Sequence, residues 1–378
     1  MKEEESEEPV YNHFEELVLK EVDKGIEGVN IGIPFPMKRL GKKINGIQKQ
    51  MLILVGGAGG TGKTALVDFL YVLVPYLWIK AQKNKDKGST INLKVTYHSM
   101  ERSKKYKLQK WTCVYLYLKH KLVIDVPTIN GWSSKLFDVT PEIREKIESA
   151  QDFINGMIDS GIVNIIDGAM HPTAILSGVT KYADAHGKTE YDKIIVNGKP
   201  MNVNPRYTPN DPDLYHVIIL DHMKKLKRES GNSEKDNIDL MSGYCGFMRD
   251  RYGYIPIMIS QFNRGLSDSS RMKNKVLAPE PSDFASSSNM YDDADLVIGL
   301  FNPFKLKIIS DLGFDVGKFV TDSGYNRYRS LHVLKNTFGV DDVAAGVLFR
   351  GEMGLWEELP KWDDKADLKI VYEKLKRE

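Results

Sequence analysis

Lys63 and Thr64 stand behind the small-residue run Gly57-Ala58-Gly59-Gly60-Thr61-Gly62, and together they satisfy the pattern G-x-x-x-x-G-K-[ST]. The chemistry this suits is the capture of a polyphosphate. Glycines let the backbone turn its N–H groups inward with no Cβ in the way, and the positive end of a following helix lies under the anion. Lys63 can then reach the β- and γ-phosphates, while the Thr64 hydroxyl is placed to ligate Mg2+, so ATP and Mg2+ are the implied ligands. Further along, three polar residues stand at or just past the ends of strand-like segments. Asp221 follows Val217 to Leu220, as an acid must if it is to hold Mg2+ or its water from a rigid strand tip. Glu101 sits just past the strand-like segment 91–98, where a carboxylate can orient and deprotonate a water attacking the γ-phosphate. Gln261 ends the segment 255–260, and its amide can hydrogen-bond the γ-phosphate and so sense the nucleotide state.

These residues need a scaffold of strands and helices in alternation. Met51 to Val55 has the length and composition of a buried strand, and helical periodicity begins at Thr64. Strands are expected at 91–98, 163–166, 217–220, 255–260, 296–301, 330–334 and 346–349. Helices are expected from Lys104 to about Lys121, from Thr140 to about Ser160, from Pro172 to His186 and from about Asn237 to Tyr252. Thr140 with Pro141 and Glu142 supplies a cap oxygen, a ring needing no N–H and an acid at the positive end. The aromatic set Tyr106, Trp111, Tyr115 and Tyr117 is read as core. The whole reads as an α/β fold with a mostly parallel central sheet flanked by helices, binding ligands at the carboxyl ends of its strands.

Residues 1–27 comprise an acidic tail and an amphipathic helix carrying Phe14, Leu17, Val18 and Val22, a candidate subunit linker that packs either on its own domain or on a neighbour. Residues 28–360 form the main domain, and 361–378 a charged C-terminal tail. The strongest short hairpin signal, Asn197-Gly198 between extended residues, opens a polar, Pro-rich surface insertion at about 188–213.

A chain of 378 residues that is 42% hydrophobic and 28% charged belongs to the ordinary globular class. Its formal charge of +2 leaves any affinity for a polyanion to local clusters of basic residues. Cys113 and Cys245 are too few for a disulfide framework, which fits a reducing compartment. The acidic start does not read as a secretory signal, and no run approaches the roughly 20 apolar residues of a membrane span. The expectation is a cytoplasmic protein with no membrane partner.

The ordered set GGAGGTGKT, HSMER, IILDH, ISQFNRG, SDFASSSNMYDDADLVIGL and LKNTFG resembles the motifs of the DnaB-type replicative helicases, RecA-like ring motors of bacteria and phages. The similarity covers roughly residues 28 to 359, and its specificity lies in order and spacing. The resemblance implies a RecA-like P-loop domain with Lys63 and Thr64 at the phosphates and magnesium, Glu101 as catalytic base, Asp221 as the Walker B acid and Gln261 as γ-phosphate sensor. It also implies ATP lying between subunits of a hexamer, with Lys335 in the motif that reaches the neighbour's nucleotide. The loops after the third and fourth strands would face single-stranded DNA in a central channel. They carry Lys224, Lys225, Lys227 and Arg228, then Arg264, Arg271, Lys273 and Lys275, residues suited to tracking phosphates without reading sequence.

Two departures qualify the match. The arginine expected two residues after Lys335 is Thr337, and a trans arginine can be worth orders of magnitude in hydrolysis rate. Arg327, Arg329 and Arg350 are candidate substitutes. No N-terminal primase-engaging domain is recognised, so the chain reads as a motor domain in the phage style, with a primase or a helicase loader as candidate partners. The leading reading is an ATP-dependent 5′-3′ DNA helicase. The competitors are a RecA-like strand-exchange recombinase and a nucleotide-stabilised DNA-binding ring or loader with weak hydrolysis.

Overall fold

The computed structural model describes residues 14–26, 32–85, 88–132, 140–196, 199–263, 271, 277–284 and 288–376. Its centre is a nine-stranded sheet. In chain order the strands are β1 (Ile53–Gly57), β2 (Asn92–Ser99), β3 (Val163–Asp167), β4 (Gly187–Val196), β5 (Lys199–Pro209), β6 (Leu214–Asp221), β7 (Ile255–Gln261), β8 (Leu296–Phe301), β9 (Ser310–Asp311), β10 (Phe314–Asp315), β11 (Tyr328–Asn336), β12 (Val343–Arg350) and β13 (Leu355–Glu358). The main sheet runs β13-β12-β11-β8-β1-β7-β6-β2-β3. From β8 through β3 every pairing is parallel, and β11, β12 and β13 add an antiparallel wing.

Strand β1 is buried along its whole length because helices cover both faces, the situation in which parallel strands read as continuous apolar runs. Ile53 and Val55 face one core with Leu66, Leu70, Trp111 and Met157, from the helices Lys63–Lys83, Lys104–His120 and Gln151–Ile158. Leu52 and Leu54 face the other, with Ile175 and Val179 from Pro172–Ala185 and Met241 and Cys245 from Glu234–Tyr252. The stretch 33–47 also enters the first core through Ile33, Met37, Leu40, Ile44 and Ile47.

Several boundaries differ from the sequence expectation, each for a local reason. The helix expected from Thr140 to Ser160 is two helices, Pro141–Glu148 and Gln151–Ile158. At the break the Ser149 hydroxyl donates to the Lys146 carbonyl at 2.7 Å. The helix expected from Asn237 begins at Glu234, where Ser233 and Asp236 form a capping box. The 21-residue helix Lys63–Lys83 is long and apolar enough to cross a membrane, against the expectation of no such run, but 61% of its apolar window is buried inside the protein. It is a core helix, enclosed from Leu66 to Leu73 and emerging toward Lys80 and Lys83 at its end.

Strands β4 and β5 form a separate antiparallel ribbon over the region read as a polar insertion, and the Asn197-Gly198 turn itself lies outside the described residues. A two-stranded ribbon tolerates Pro200, Pro205 and Pro209 because each strand has a free edge. Within the stretch read as a charged tail, Lys365–Leu375 is a helix that buries Leu368 and Leu375 against Phe314, Phe319 and Tyr328. The N-terminal helical segment, Glu15–Leu19 and Lys20–Ile26, leaves Phe14, Val18, Val22 and Ile26 between 43% and 80% exposed.

Candidate nucleotide site

Strand adjacency assembles the site. In register, Gly57 of β1 lies beside Gln261 of β7 and Leu300 of β8, while Ser99 of β2 lies beside Asp221 of β6. The phosphate loop therefore has Gln261 on one side, the segment after β8 on the other, and the tips of β6 and β2 beyond β7.

The loop is shaped by left-handed glycines at Gly60 (φ 70°) and Gly62 (φ 106°), which no side-chain-bearing residue adopts cheaply. Gly62 has a second constraint. A Cβ there would come within 2.8 Å of Phe349 and Trp356, whose rings stack at 4.1 Å and bring the antiparallel wing hard against the loop. Lys63 donates to the Gly57 and Ala58 carbonyls at 2.8 and 3.0 Å. Desolvation pushes its ammonium down to about 8, opposed by Asp221 and Glu101 and reinforced by Lys305 and Lys224. A nucleotide phosphate beside it would restore the charge that burial disfavours.

The Thr64 hydroxyl donates to Asp221 Oδ1 at 2.9 Å. Hydroxyl plus carboxylate is a hard-oxygen pair that fits Mg2+ brought in with nucleotide phosphates. The other carboxylate oxygen of Asp221, Oδ2, accepts from Tyr97 OH and from Lys107 Nζ, each at 3.0 Å. Lys107 also bonds Tyr97 OH at 2.6 Å and Asp68 at 3.4 Å, and Trp111 Nε1 donates to Asp68 at 3.0 Å. Lys107 and Asp221 are at most 1% exposed, so one ammonium holds two carboxylates in a dry interior. Burial raises the Asp68 carboxyl, with Lys107 opposing, and Tyr97 is pushed well above the ordinary phenol range.

Sequence reasoning missed this network, although a signal was present. Lys107 shares a helical stripe with Trp111 and Val114, and Asp68 interrupts the apolar run Ala65 to Val74.

Glu101 is partly exposed and lies 3.6 Å from His222, the residue after Asp221. Burial lowers the affinity of that imidazole for a proton, with Glu101 and Asp221 opposing. The Gln261 amide nitrogen would stand 3.3 Å from a Cβ placed on Gly59, so it hangs over the loop. Lys305, in the turn Pro303–Leu306 that follows β8, reaches the same place from the other flank and donates to the Gly59 carbonyl at 3.2 Å.

The remaining residues lie elsewhere. Lys224 and Lys225 sit on the turn Met223–Lys225 just past Asp221, with Lys227 and Arg228 exposed beyond it. Arg228 reaches Glu234 at 4.0 Å. Arg271 is held by Asp283 at 2.5 Å and by Glu280 at 3.2 Å, while Arg264, Lys273 and Lys275 lie outside the described residues. Because β11 runs antiparallel to β8, Lys335 pairs with Val297 near the start of β8, at the opposite end of the sheet from the loop. Its ammonium donates to the Tyr291 and Asp292 carbonyls. Thr337 is at that end too, its amide donating to the Asp295 carbonyl at 2.8 Å. Arg327 and Arg350 are ion-paired with Glu352 and Glu357, and the buried Arg329 lies over the Phe349 ring.

No protein-family model matches the sequence, and no curated protein matches it. Solved structures do. The ATPase domain of a phage DnaB-like helicase superposes with a TM-score of 0.63 at 17% identity, over 93% of this chain and 100% of that one. A DnaB-like replicative helicase, whose structure was described with its interactions with primase, gives a TM-score of 0.59 at 16% identity, over 92% of this chain and 67% of that one. The chain therefore has the RecA-like α/β fold of DnaB-like helicase motor domains.

Proposed function

We propose that the protein is an ATP-dependent DNA helicase that assembles as a ring, a hexamer by resemblance, and translocates 5′ to 3′ on single-stranded DNA in the cytoplasm, the host's if a phage encodes it. One observation carries the reading. Lys63, Thr64, Asp221, Glu101 and Gln261, distant in sequence, gather around one phosphate loop on a fold shared with helicase motors. A generic nucleotide binder has no need of a second acid at the tip of β2.

In this reading the loop amides and Lys63 bind the triphosphate, while Thr64 and Asp221 would hold Mg2+, whose charge would offset that of the phosphates. Glu101 takes a proton from water as the water oxygen bonds the γ-phosphorus. The bond from that phosphorus to the β,γ-bridging oxygen breaks, and its electron pair leaves on ADP. Gln261 loses its γ-phosphate partner, the event that would couple hydrolysis to the DNA contact. The exposed stripe Phe14, Val18, Val22 and Ile26 supports an association with a second copy through the N-terminal helix.

Lys63→Ala is expected to lower DNA-stimulated phosphate release on the order of 10³-fold. Unchanged release would sink the motor reading. Forked duplexes with only a 5′ or only a 3′ tail test direction, and a strand-exchange assay tests the recombinase reading. A ring that binds DNA but hydrolyses slowly is favoured by one specific feature, the uncharged Thr337, and a DNA-stimulated ATPase rate separates it from a motor.

A further inference from the structure

Two polar side chains converge on Gly59 at the loop rim. The Gln261 amide approaches it from β7, and the Lys305 ammonium approaches it from the turn after β8, the two strands that flank β1. A Cβ on neighbouring Gly60 would lie 2.9 Å from Lys305 Nζ, so the ammonium reaches the bare backbone of the rim at both glycines. Lys305 repeats the pattern of Lys63. Each ammonium donates to carbonyls of the loop itself, Lys63 to Gly57 and Ala58 and Lys305 to Gly59. An ammonium has three donors on a flexible stem, so a phosphate oxygen can take one while the loop keeps another. Lys335 and Thr337, on the motif expected to reach a nucleotide, lie at the far end of the sheet.

We propose that Lys305 is a catalytic cation for the γ-phosphate, supplied by the same chain that supplies the phosphate loop. It donates to an equatorial γ-phosphoryl oxygen across from Gln261 and stabilises the charge that develops as the bond to the bridging oxygen breaks. That Lys63 is depressed partly by the charge of Lys305 is consistent with both ammonium groups sharing one small volume. The inference rests on the helicase reading for its reaction, but not for its binding geometry.

Lys305→Ala is expected to lower kcat for ATP hydrolysis roughly 10²-fold while KM changes little, and Lys305→Arg to keep most of the rate. A second readout needs no turnover. Wild-type protein should trap ADP with aluminium fluoride, a mimic of the phosphoryl group in flight, and Lys305→Ala should lose the trap while binding fluorescent ADP as before. An unchanged rate and trap would overturn the proposal. So would equal loss of ADP binding, which would make Lys305 a loop staple. Mixing Lys305→Ala with Lys63→Ala chains tests its origin. Activity should stay lost, whereas recovery would assign Lys305 to a neighbour's nucleotide and overturn the same-chain placement. If wild-type protein hydrolyses no nucleotide, the motor reading fails by itself, and the trap comparison still decides Lys305.

Discussion

At the carboxyl ends of β1, β2, β6, β7 and β8 the polar side chains find one another within a single chain. Thr64 meets Asp221, Asp221 meets Lys107 and Tyr97, His222 lies beside Glu101, and Gln261 and Lys305 flank Gly59. At the amino ends an open cleft of about 1700 Å3 is bounded by Gln50, Ile91, Tyr215, Asp295 and, on the N-terminal helix, Glu21 and Lys24. That helix buries none of its residues and turns an apolar stripe outward. The contrast separates two tasks. One end of the sheet completes its charge network alone, and the other leaves an apolar stripe and an open cleft exposed among the described residues.

The first way to break this contrast is to unbalance the self-contained end. Lys107→Met leaves two buried carboxylates facing each other without their cation, and removing one partner of such a group costs about 3–5 kcal/mol. Urea unfolding should show that loss, and Asp68→Asn in the same chain should recover part of it by removing one of the charges. If Lys107→Met unfolds like the wild type, the network does not hold Asp221.

The second works on the opposite end. Val22 is 51% exposed, and burying such a side chain contributes about 1.5–3 kcal/mol. Val22→Asp should therefore weaken self-association by roughly tenfold to a hundredfold in sedimentation while leaving nucleotide binding by the single chain intact. Unaltered association would show that the stripe is not an interface.

The smallest expected effect sharpens the electrostatics of the loop. Lys63 titrates at about 8, and phosphates favour its charged form, so nucleotide binding above that pH must take up a proton. Affinity should fall as pH rises, by about tenfold between pH 7 and pH 9, and Lys63→Met should abolish the dependence. A flat profile in the wild type would mean that the ammonium stays charged.

How much of this was legible depended on whether the information was local. The phosphate loop was, because its glycines, lysine and threonine are fixed by spacing within nine residues, 56–64. Asp221 and Gln261 are nearly so, since each ends an apolar run and so marks a strand tip, and Glu101 follows a strand that alternation marks. Lys305 was not, because its reach depends on β8 lying beside β1, and no local pattern encodes strand adjacency. Lys107 was overlooked for another reason. The aromatic residues of its helix drew the reading toward core, and a lysine on the same stripe was not weighed as part of that core. The C-terminal helix was hidden by its charge, although Leu368 and Leu375 stand seven residues apart, two turns on one face.

The stack of Phe349 and Trp356 over Gly62 carries a mechanical consequence. Close-packed interiors transmit displacement because they have little room to absorb it. A displacement of the outer strands would thus press on the phosphate cradle at one glycine, and widening of the cradle would press back on Phe349 and Trp356. If the chain hydrolyses nucleotide, the wing is placed to carry a change at the cradle outward to β12 and β13.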